Sequence, residues 1–399
     1  MLRSMYSGIS GMKNFQTKLD VIGNNIANVN TYGFKKGRVT FKDAMNQTIA
    51  GASAAQNNRG GKNPMQVGLG STIASVDSVQ TQSSFQTTGR ALDLAVSGDG
   101  YFIVKQGNAQ YFTRAGNFYL DNNGTLVNAD GMKVQSFNNG ILQDITVNVN
   151  AVLPAKQTTA ITMGGNLPVD AKGDTKLVQQ IQVVDDAGVA HTLDMTIKSN
   201  DPAAGKWDVT FTDNTLNDPA ANAVTKTITI DPNNPTPDEI VALQVNDGSG
   251  QAKTFNVNFS QKNLTMTAGS IDAQATTDGN MQGSLESFNI GSDGVINGVF
   301  SNGLVLPLGQ LALAKFSNPS GLDNAGGNLF RQSVNSGVAN INIPGNGRGT
   351  IAAGSLEMSN VDLSEEFTEM IVAQRGFQAN TKIITTSDEI LQELVNLKR

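Results

Sequence analysis

The stretch VDLSEEFTEMIVAQRGFQANTKIITTSDEILQELVNLKR, residues 361–399, decides the architecture. Within it Leu363, Met370, Phe377, Ile384 and Leu391 recur every seven residues, the spacing that keeps one stripe of a long helix pressed against a partner. At the opposite end of the chain Met5, Met12, Leu19 and Ile26 repeat the interval. The two ends are therefore predicted to pair as helices.

Magnitudes define what kind of pairing this is. Each large apolar side chain contributes roughly 1.5–3 kcal/mol on full burial, while fixing a backbone costs about 1–2 kcal/mol per residue before hydrogen bonds offset part of it. A lone helix pair is marginal on that comparison. Gln16, Gly23, Gln374, Thr381 and Asp388 occupy intervening positions where a two-stranded coiled coil favours Ile or Val. A second stripe, Ile383, Ile390 and Leu397, lies to one side of the first on the C-terminal helix and stays wet in an isolated pair. More neighbours are required, so the terminal helices are expected to fray in the monomer and to order when many copies pack together. Strong amide protection of residues 1–30 and 365–399 in dilute monomer would contradict this. The competing reading is an ordinary helical hairpin capping a globular enzyme.

Composition narrows the choice. The 399 residues include 42 glycines, one histidine, one tryptophan and no cysteine, with a formal net charge of -6. Absence of cysteine excludes disulfides, thiolate chemistry and Cys-based metal sites. No apolar run approaches the ~20 residues of a membrane span, and the N-terminus lacks the apolar core and small-residue cleavage site of a secretory signal. Export, if it occurs, is expected without a cleaved signal. The acidic balance and scattered Lys and Arg argue against nucleic acid as a partner.

Along the chain, a helix from Leu2 to about Asn28 carries Gly8, Gly11 and Gly23, each lowering intrinsic helix stability by ~1 kcal/mol. Asn28, Asn30, Thr31 and Gly33 then supply turn chemistry that stops it. Residues 33–70 are polar and aperiodic and read as an extended linking arm. Beyond Ser71 the pattern changes to period two, through Leu92, Leu94, Val96, Tyr101, Ile103, Tyr111, Phe112, Phe118 and Leu120, with Asn123-Gly124 as a hairpin turn. The same rhythm returns at Phe288, Ile290, Val295, Ile296, Leu311, Leu313 and Phe316. Between these regions Thr, Val, Asp and Asn dominate, and strands are expected at 180–184, 192–197, 207–211, 225–230 and 254–259. The fold class is thus multidomain: paired N- and C-terminal α-helices, coiled-coil-like, plus two mostly-β domains, the second inserted into the first. The expected boundaries are 1–32 with 361–399 for the helices, 71–149 with 285–360 for an inner β domain, and 150–284 for an inserted outer one.

Chemistry is sparse. His191 has no second histidine to make a metal pair, and Asp185-Asp186 precede Ala-Gly, which makes them a hairpin end. Gly345, Gly347 and Gly349 lack the strand and helix that frame a phosphate loop. Asp121-Asn-Asn-Gly and Ser292-Asp-Gly lack the repeated carboxylates of a calcium loop. No catalytic, cofactor or metal constellation emerges, so an enzyme is not expected. Trp207, Phe211, Phe255 and Phe259 sit at strand spacings that fit a core, against the rival reading of a β-rich adhesin or carbohydrate-processing module.

Three stretches carry a resemblance. Leu19-Asp-Val-Ile-Gly-Asn-Asn-Ile-Ala-Asn-Val-Asn-Thr-Tyr-Gly-Phe-Lys35 resembles the N-terminal signature of the bacterial flagellar rod and hook proteins, in which Asn24, Asn25, Asn28, Asn30, Thr31, Gly33, Phe34 and Lys35 are the matching positions. Leu94-Ala-Val-Ser-Gly-Asp-Gly-Tyr-Phe-Ile-Val104 with Tyr111-Phe-Thr-Arg-Ala-Gly-Asn-Phe118 is similar to the family's β-domain signature, and Gly354-Ser-Leu-Glu-Met-Ser-Asn-Val-Asp-Leu-Ser-Glu-Glu-Phe367 to its C-terminal one. The resemblance spans residues 1–145 and 285–399, and the length of the chain points to hook-type rather than distal-rod members.

What the resemblance implies is a structural subunit polymerising into the curved tubular universal joint between flagellar rod and filament. The terminal helices would line its inner tube, the arm would bridge neighbouring subunits, and the β domains would form outer layers. Implied partners are other copies of the chain in a helical homopolymer, the distal rod protein, the hook cap and the hook-filament junction proteins. The flagellar type III export apparatus would deliver the uncleaved, unfolded chain outside the cell, with no nucleic acid, membrane insertion or cofactor involved. An export-gate motif known in the family could correspond to Phe41-Lys-Asp-Ala-Met45, with Phe41 packing on a neighbouring surface as the plainer alternative.

Overall fold

Helix α1 (Leu2–Ala27) and helix α2 (Leu363–Asn396) bracket a chain that is otherwise β-structured. The structure is a computed structural model describing residues 2–54, 60–138, 140–171, 176–201, 205–229, 239–246, 252–345 and 347–396. Leu397 and Ile230, expected in the second helical stripe and in a strand, lie outside the described residues, as do the side chains of Phe255 and Phe259.

Local chemistry sets both helix ends. Asn28 closes α1 by donating from its amide nitrogens to the Asn24 carbonyl, and Thr31 N–H then donates to the Asn28 carbonyl. Asp362 opens α2: its Oδ1 accepts Ser364 N–H at 2.8 Å and Glu365 N–H at 3.3 Å. Glu365 and Glu366 follow in the first turn, where negative charge meets the positive end of the helix. No described helix is long and apolar enough to cross a membrane.

The chain forms two compact units, residues 1–148 with 288–297 and 307–399, and residues 149–287 with 298–306. In the first, a ten-stranded sheet runs Asp323–Gly326, Leu329–Arg331, Ala109–Thr113, Tyr101–Gln106, Lys133–Asn138, Leu126–Val127 and Tyr119–Leu120, with three further strands pairing off this path. Leu126 pairs with Leu120 and Val127 with Tyr119, so Asn123-Gly124 lies in a hairpin. Tyr101, Phe112, Phe316 and Phe330 meet edge-to-face in the core. Leu94 to Val96 and Tyr101 to Val104 are buried at every position rather than alternately, because both faces of these strands are covered.

The expected arm has regular structure of its own. Gly37–Asp43 pairs antiparallel with Ser71–Ser78, and Asn46–Ala50 pairs with Met65–Gly68. Phe41 sits edge-on against Phe15 of α1, ring centroids 6.1 Å apart. Sequence periodicity hid Gly37–Asp43, Asn46–Ala50 and Met65–Gly68 because most of their side chains are exposed, leaving no buried face to impose alternation.

In the second unit, Lys176–Val184, Ala190–Asp201, Lys206–Thr212 and Val224–Thr229 form one sheet. Glu239–Asn246, Ala252–Thr265, Ala160–Asn166 and Gln274–Thr277 form another. Ile181, Val183, Met195, Trp207 and Val209 of the first pack with Ile161, Met163, Leu243 and Val257 of the second in one buried cluster. Here alternation is clean, as Trp207, Val209 and Phe211 point inward and their neighbours do not.

Asp278 staples this unit. Its Oδ1 accepts Thr159 and Ala160 N–H, both at 2.8 Å, and its Oδ2 accepts the Thr159 hydroxyl at 2.7 Å and pairs with Lys156 at 3.1 Å. Desolvation pushes this carboxyl up, but those donors outweigh it and hold the pKa at about 2. A depressed carboxylate contributes stability present above its unfolded pKa and lost as pH falls through the folded one. The second unit should therefore weaken progressively between about pH 4 and pH 2. Asp278→Asn should remove that acid dependence and lower stability by about 1 kcal/mol after solvent screening. Calorimetry across that pH window checks it; an unchanged acid profile would contradict the assignment.

Candidate functional site

Helices α1 and α2 run antiparallel. Gly8 lies against the Asn380 carbonyl and Ile384, Phe15 against Gly376, and Asn25 against Glu366. Met5, Met12, Leu19 and Ile26 are half-buried, as are Met370, Phe377, Ile384 and Leu391, whereas Leu363 is 40% exposed. The innermost line of α2 lies three residues further on, at Glu366, Ala373, Asn380 and Ser387, of which only Asn380 is not fully buried. Small and polar side chains therefore form the centre of the seam and the heptad apolars flank it.

That composition works through close approach. A Cβ on Gly376 would stand 2.5 Å from the Phe15 ring, and one on Gly11 would stand 2.8 Å from the Asn380 side chain. The glycines expected to weaken α1 thus divide. Gly8 and Gly11 admit Asn380 and its surroundings, while Gly23 faces open space. Polar links finish the contact: Asn25 Nδ2 donates to Glu366 Oε2 at 3.1 Å, Lys36 pairs with Glu365 at 2.7 Å, and Lys18 pairs with Glu369. On the outside of α2, Phe367, Ile371, Val372, Ile383 and Ile390 remain exposed, the last two at 44%.

Where the chain leaves α1, the three resembling stretches converge on a buried charge cluster. Lys35 Nζ lies 2.6 Å from Glu357 Oε1 and also donates to the Thr81 carbonyl at 2.8 Å. Arg114 lies 3.4 Å from Glu357 Oε2 and donates to the Val96 carbonyl. The Glu357 side chain is 0% exposed, with Lys35 at 1% and Arg114 at 5%. Burial lowers the Lys35 pKa against the opposing pull of Glu357. Burial also drives the Tyr101 phenol up to about 12; its ring stacks under the Arg114 guanidinium and its hydroxyl donates to Gln80.

Gly33 fixes the approach to this cluster. Its N–H donates to the Glu357 carbonyl at 2.8 Å, its φ is +71°, and a Cβ there would stand 2.6 Å from Ala115 N. Asn25 clasps Gly37, accepting its N–H at 2.8 Å and donating to its carbonyl at 2.9 Å. Asn360 accepts Lys36 N–H and donates to the Val79 carbonyl. Asn24 and Asn28 hydrogen-bond one another, Thr31 donates to Asn28, and Asn30 lines a small polar pocket beside Tyr32. The aromatic ring of Phe34 is half-buried.

Sequence reading singled out Lys35 by resemblance but not its partners Glu357 and Arg114. Their residue types carry no spacing signal, because the groups that meet lie 322 and 243 positions apart. Elsewhere, Asp185 Oδ1 accepts Ala187 and Val189 N–H as the tip of a hairpin, pairs with Lys253, and lies 3.5 Å from His191 Nε2. Among the described residues no His, Cys, Asp and Glu grouping could hold a metal ion.

Comparison with known proteins fits this geometry. Three family models match: Flagella basal body rod protein over residues 5–35, Flagellar hook protein FlgE/F/G D1 domain over 95–169, and Flagellar basal body rod FlgEFG protein C-terminal over 352–397. Lys35, Arg114 and Glu357 each come from a different matched segment. The chain is 38% identical to the flagellar hook protein FlgE of Treponema pallidum and 40% to that of Borreliella burgdorferi, covering 100% of both chains in each case. It is 41% identical to the flagellar basal-body rod protein FlgG of Bacillus subtilis, again over 100% of each. The crystal structure of Helicobacter pylori flagellar hook protein FlgE2 shares the fold, with a TM-score of 0.51 at 15% identity over 68% of this chain and 100% of that one. End-to-end relatives and three matched segments tied together by one buried cluster leave a single conclusion: the chain belongs to the flagellar hook and rod protein family.

Proposed function

We propose that the chain is the structural subunit of the flagellar hook and completes its fold by self-assembly into a tube. The observation that carries this is the outer face of α2, where Phe367, Ile371, Val372, Ile383 and Ile390 are left exposed beside a seam made of small and polar groups. Such a face is stabilised by further helices and by little else. Electron microscopy of the purified chain under polymerising salt tests the reading, with a chain lacking residues 1–30 and 365–399 as its control. Long fibres from the truncated chain would overturn it. The relative named as a rod protein favours a second reading, a distal-rod-like subunit. Curved polymers support the hook and straight ones the rod.

In this reading residues 150–284 are an inserted module, 71–149 with 285–360 a β domain continuous with the helices, and 33–70 an arm between neighbouring copies. The heptad residues Met5, Met12, Leu19, Ile26, Leu363, Met370, Phe377, Ile384 and Leu391 order the polymerising helices, and the Asn24 to Lys35 signature sets how the chain leaves α1. Its own sandwich core supports treating 150–284 as separable. Deleting 150–284 should leave polymerisation within about threefold of the full chain's critical concentration, since the seam is untouched. The tubes should be thinner and straighter; unaltered supercoiling in micrographs would refute the assignment.

The same reading makes the distal rod protein, hook cap and hook-filament junction proteins its partners. The flagellar type III apparatus exports it uncleaved to the cell exterior, and no catalysis is assigned to it. Phe41 and Met45 then serve as an export signal, which the 70% exposure of Met45 supports and the packing of Phe41 on Phe15 opposes. Phe41→Ala should cut secretion at least about tenfold while reducing the stability of the ribbon by only about 1 kcal/mol. Normal secretion of that variant would return Phe41 to a packing role.

A further inference from the structure

The exposed line of α1 and the exposed line of α2 carry matching patterns, and among the described residues no side-chain hydrogen bond or ion pair uses them to join the two helices of one chain. Along α1, Lys13, Gln16, Asp20 and Gly23 are all exposed and step by 3, 4 and 3 residues. Going backwards along α2, Glu389, Thr386, Lys382 and Ala379 are all exposed and step by 3, 4 and 3 as well. Residues so spaced share one face of a helix. Charge therefore reads positive, neutral, negative, small on one helix and negative, neutral, positive, small on the other.

We propose that α1 of one copy docks antiparallel against α2 of a second copy, with Lys13 opposite Glu389, Gln16 opposite Thr386, Asp20 opposite Lys382 and Gly23 opposite Ala379. This rests on the self-assembly reading and names its lateral contact. The sense follows from the fold, since copies that point the same way present α1 beside an antiparallel α2, as the two already lie within one chain. Within a chain Phe15 is level with Gly376, so the docked register is a slide of about eleven residues, roughly 16 Å at the helical rise.

Three observations select this register. None of the four charged side chains has an ion-pair or hydrogen-bond partner among the described residues, so all are available. A slide of one further heptad in one direction sets Lys13 against Lys382 and keeps one opposed pair, Asp20 with Arg375, where the proposed register has two; in the other direction it sets Asp20 against Glu389. Like charges in these positions disfavour both neighbours. Gly23 has nothing within 4 Å of where a Cβ would stand, so its own chain gives no packing reason for a residue that lowers helix stability. Opposite Ala379 it lets two backbones approach.

Charge reversal in the full chain tests the register, read as the critical concentration for polymerisation at low salt. Lys13→Glu and Glu389→Lys should each raise it at least about tenfold, and the double variant should return to within about threefold of the parent. Gly23→Leu should block assembly while leaving the helical circular dichroism of the monomer no lower. If the parent chain does not polymerise, the assembly reading itself falls. If it polymerises and the double reversal is no better than either single one, this register is overturned while assembly stands.

Discussion

Replacing Glu357 by Ala should destabilise the unit that carries the helices by about 3–5 kcal/mol, the largest loss expected from any single charge in the chain. Glu357 is the one carboxylate between two buried cations, and its Oε1 also accepts Ser83 N–H at 3.2 Å. Removing it leaves Lys35 and Arg114 buried without counter-charge, in a site where Arg114 Nε already lacks a hydrogen-bond partner. Most of the loss is desolvation that is no longer compensated, not the net contribution of the ion pairs. A triple variant, Lys35→Met with Arg114→Met and Glu357→Leu, should therefore recover much of it.

The pH dependence separates this account from simple cavity formation. Burial lowers the Lys35 pKa in the folded chain and Glu357 opposes that drop. Without Glu357 the folded pKa falls further, so between it and the ordinary lysine value the unfolded chain binds a proton that the folded chain does not. Stability then rises with pH. The deficit of Glu357→Ala should shrink as pH is raised toward about 10. Denaturant unfolding of the parent, the single and the triple variants at neutral and alkaline pH checks this, and a deficit that grows with pH would exclude it.

What could be read in the sequence, and what could not, follows from the range of each interaction. The heptads Met5 to Ile26 and Leu363 to Leu391 are local information, and they located both helices and their mutual contact. They did not locate the centre of the seam. Glu366, Ala373, Asn380 and Ser387 are individually unremarkable residues whose burial becomes visible only when α1 lies against them. Alternation found the sandwich strands around Trp207, where one face is buried. At Leu94 to Val96 and Tyr101 to Val104 it gave the right strands on a pattern that does not hold, since every position is covered. The strands Gly37–Asp43, Asn46–Ala50 and Met65–Gly68 were missed because their pairing is set by backbone hydrogen bonds and by the Asn25 clasp on Gly37, neither of which leaves a periodic trace. The Glu357 cluster is the extreme case, a meeting of three distant segments with no motif of its own.

Gly376→Leu should abolish polymerisation while leaving the second unit's unfolding transition unchanged, and the sign of its effect on the helices discriminates between two accounts of this glycine. If Gly376 were only a weak point in α2, Leu would strengthen the helix by nearly 1 kcal/mol and lower the critical concentration. If it is the slot for Phe15, the first added carbon already falls 2.5 Å from the ring, and the remaining carbons cannot enter without driving α1 away. Overpacking of that kind typically costs about 1–3 kcal/mol, comparable with everything a marginal seam of small and polar groups supplies. The geometry favours the second account because the Phe15 ring is held by a second neighbour as well, Phe41, edge-on with centroids 6.1 Å apart. Phe15→Ala should loosen the seam alone, yet combined with Gly376→Leu it should restore part of the assembly, since the new side chain then fills the space the ring has left. Sedimentation of polymer formed by the parent, both single variants and the double variant measures the coupling. A Gly376→Leu chain that assembles at or below the parent's critical concentration would show that the Phe15 slot does not hold the helices together.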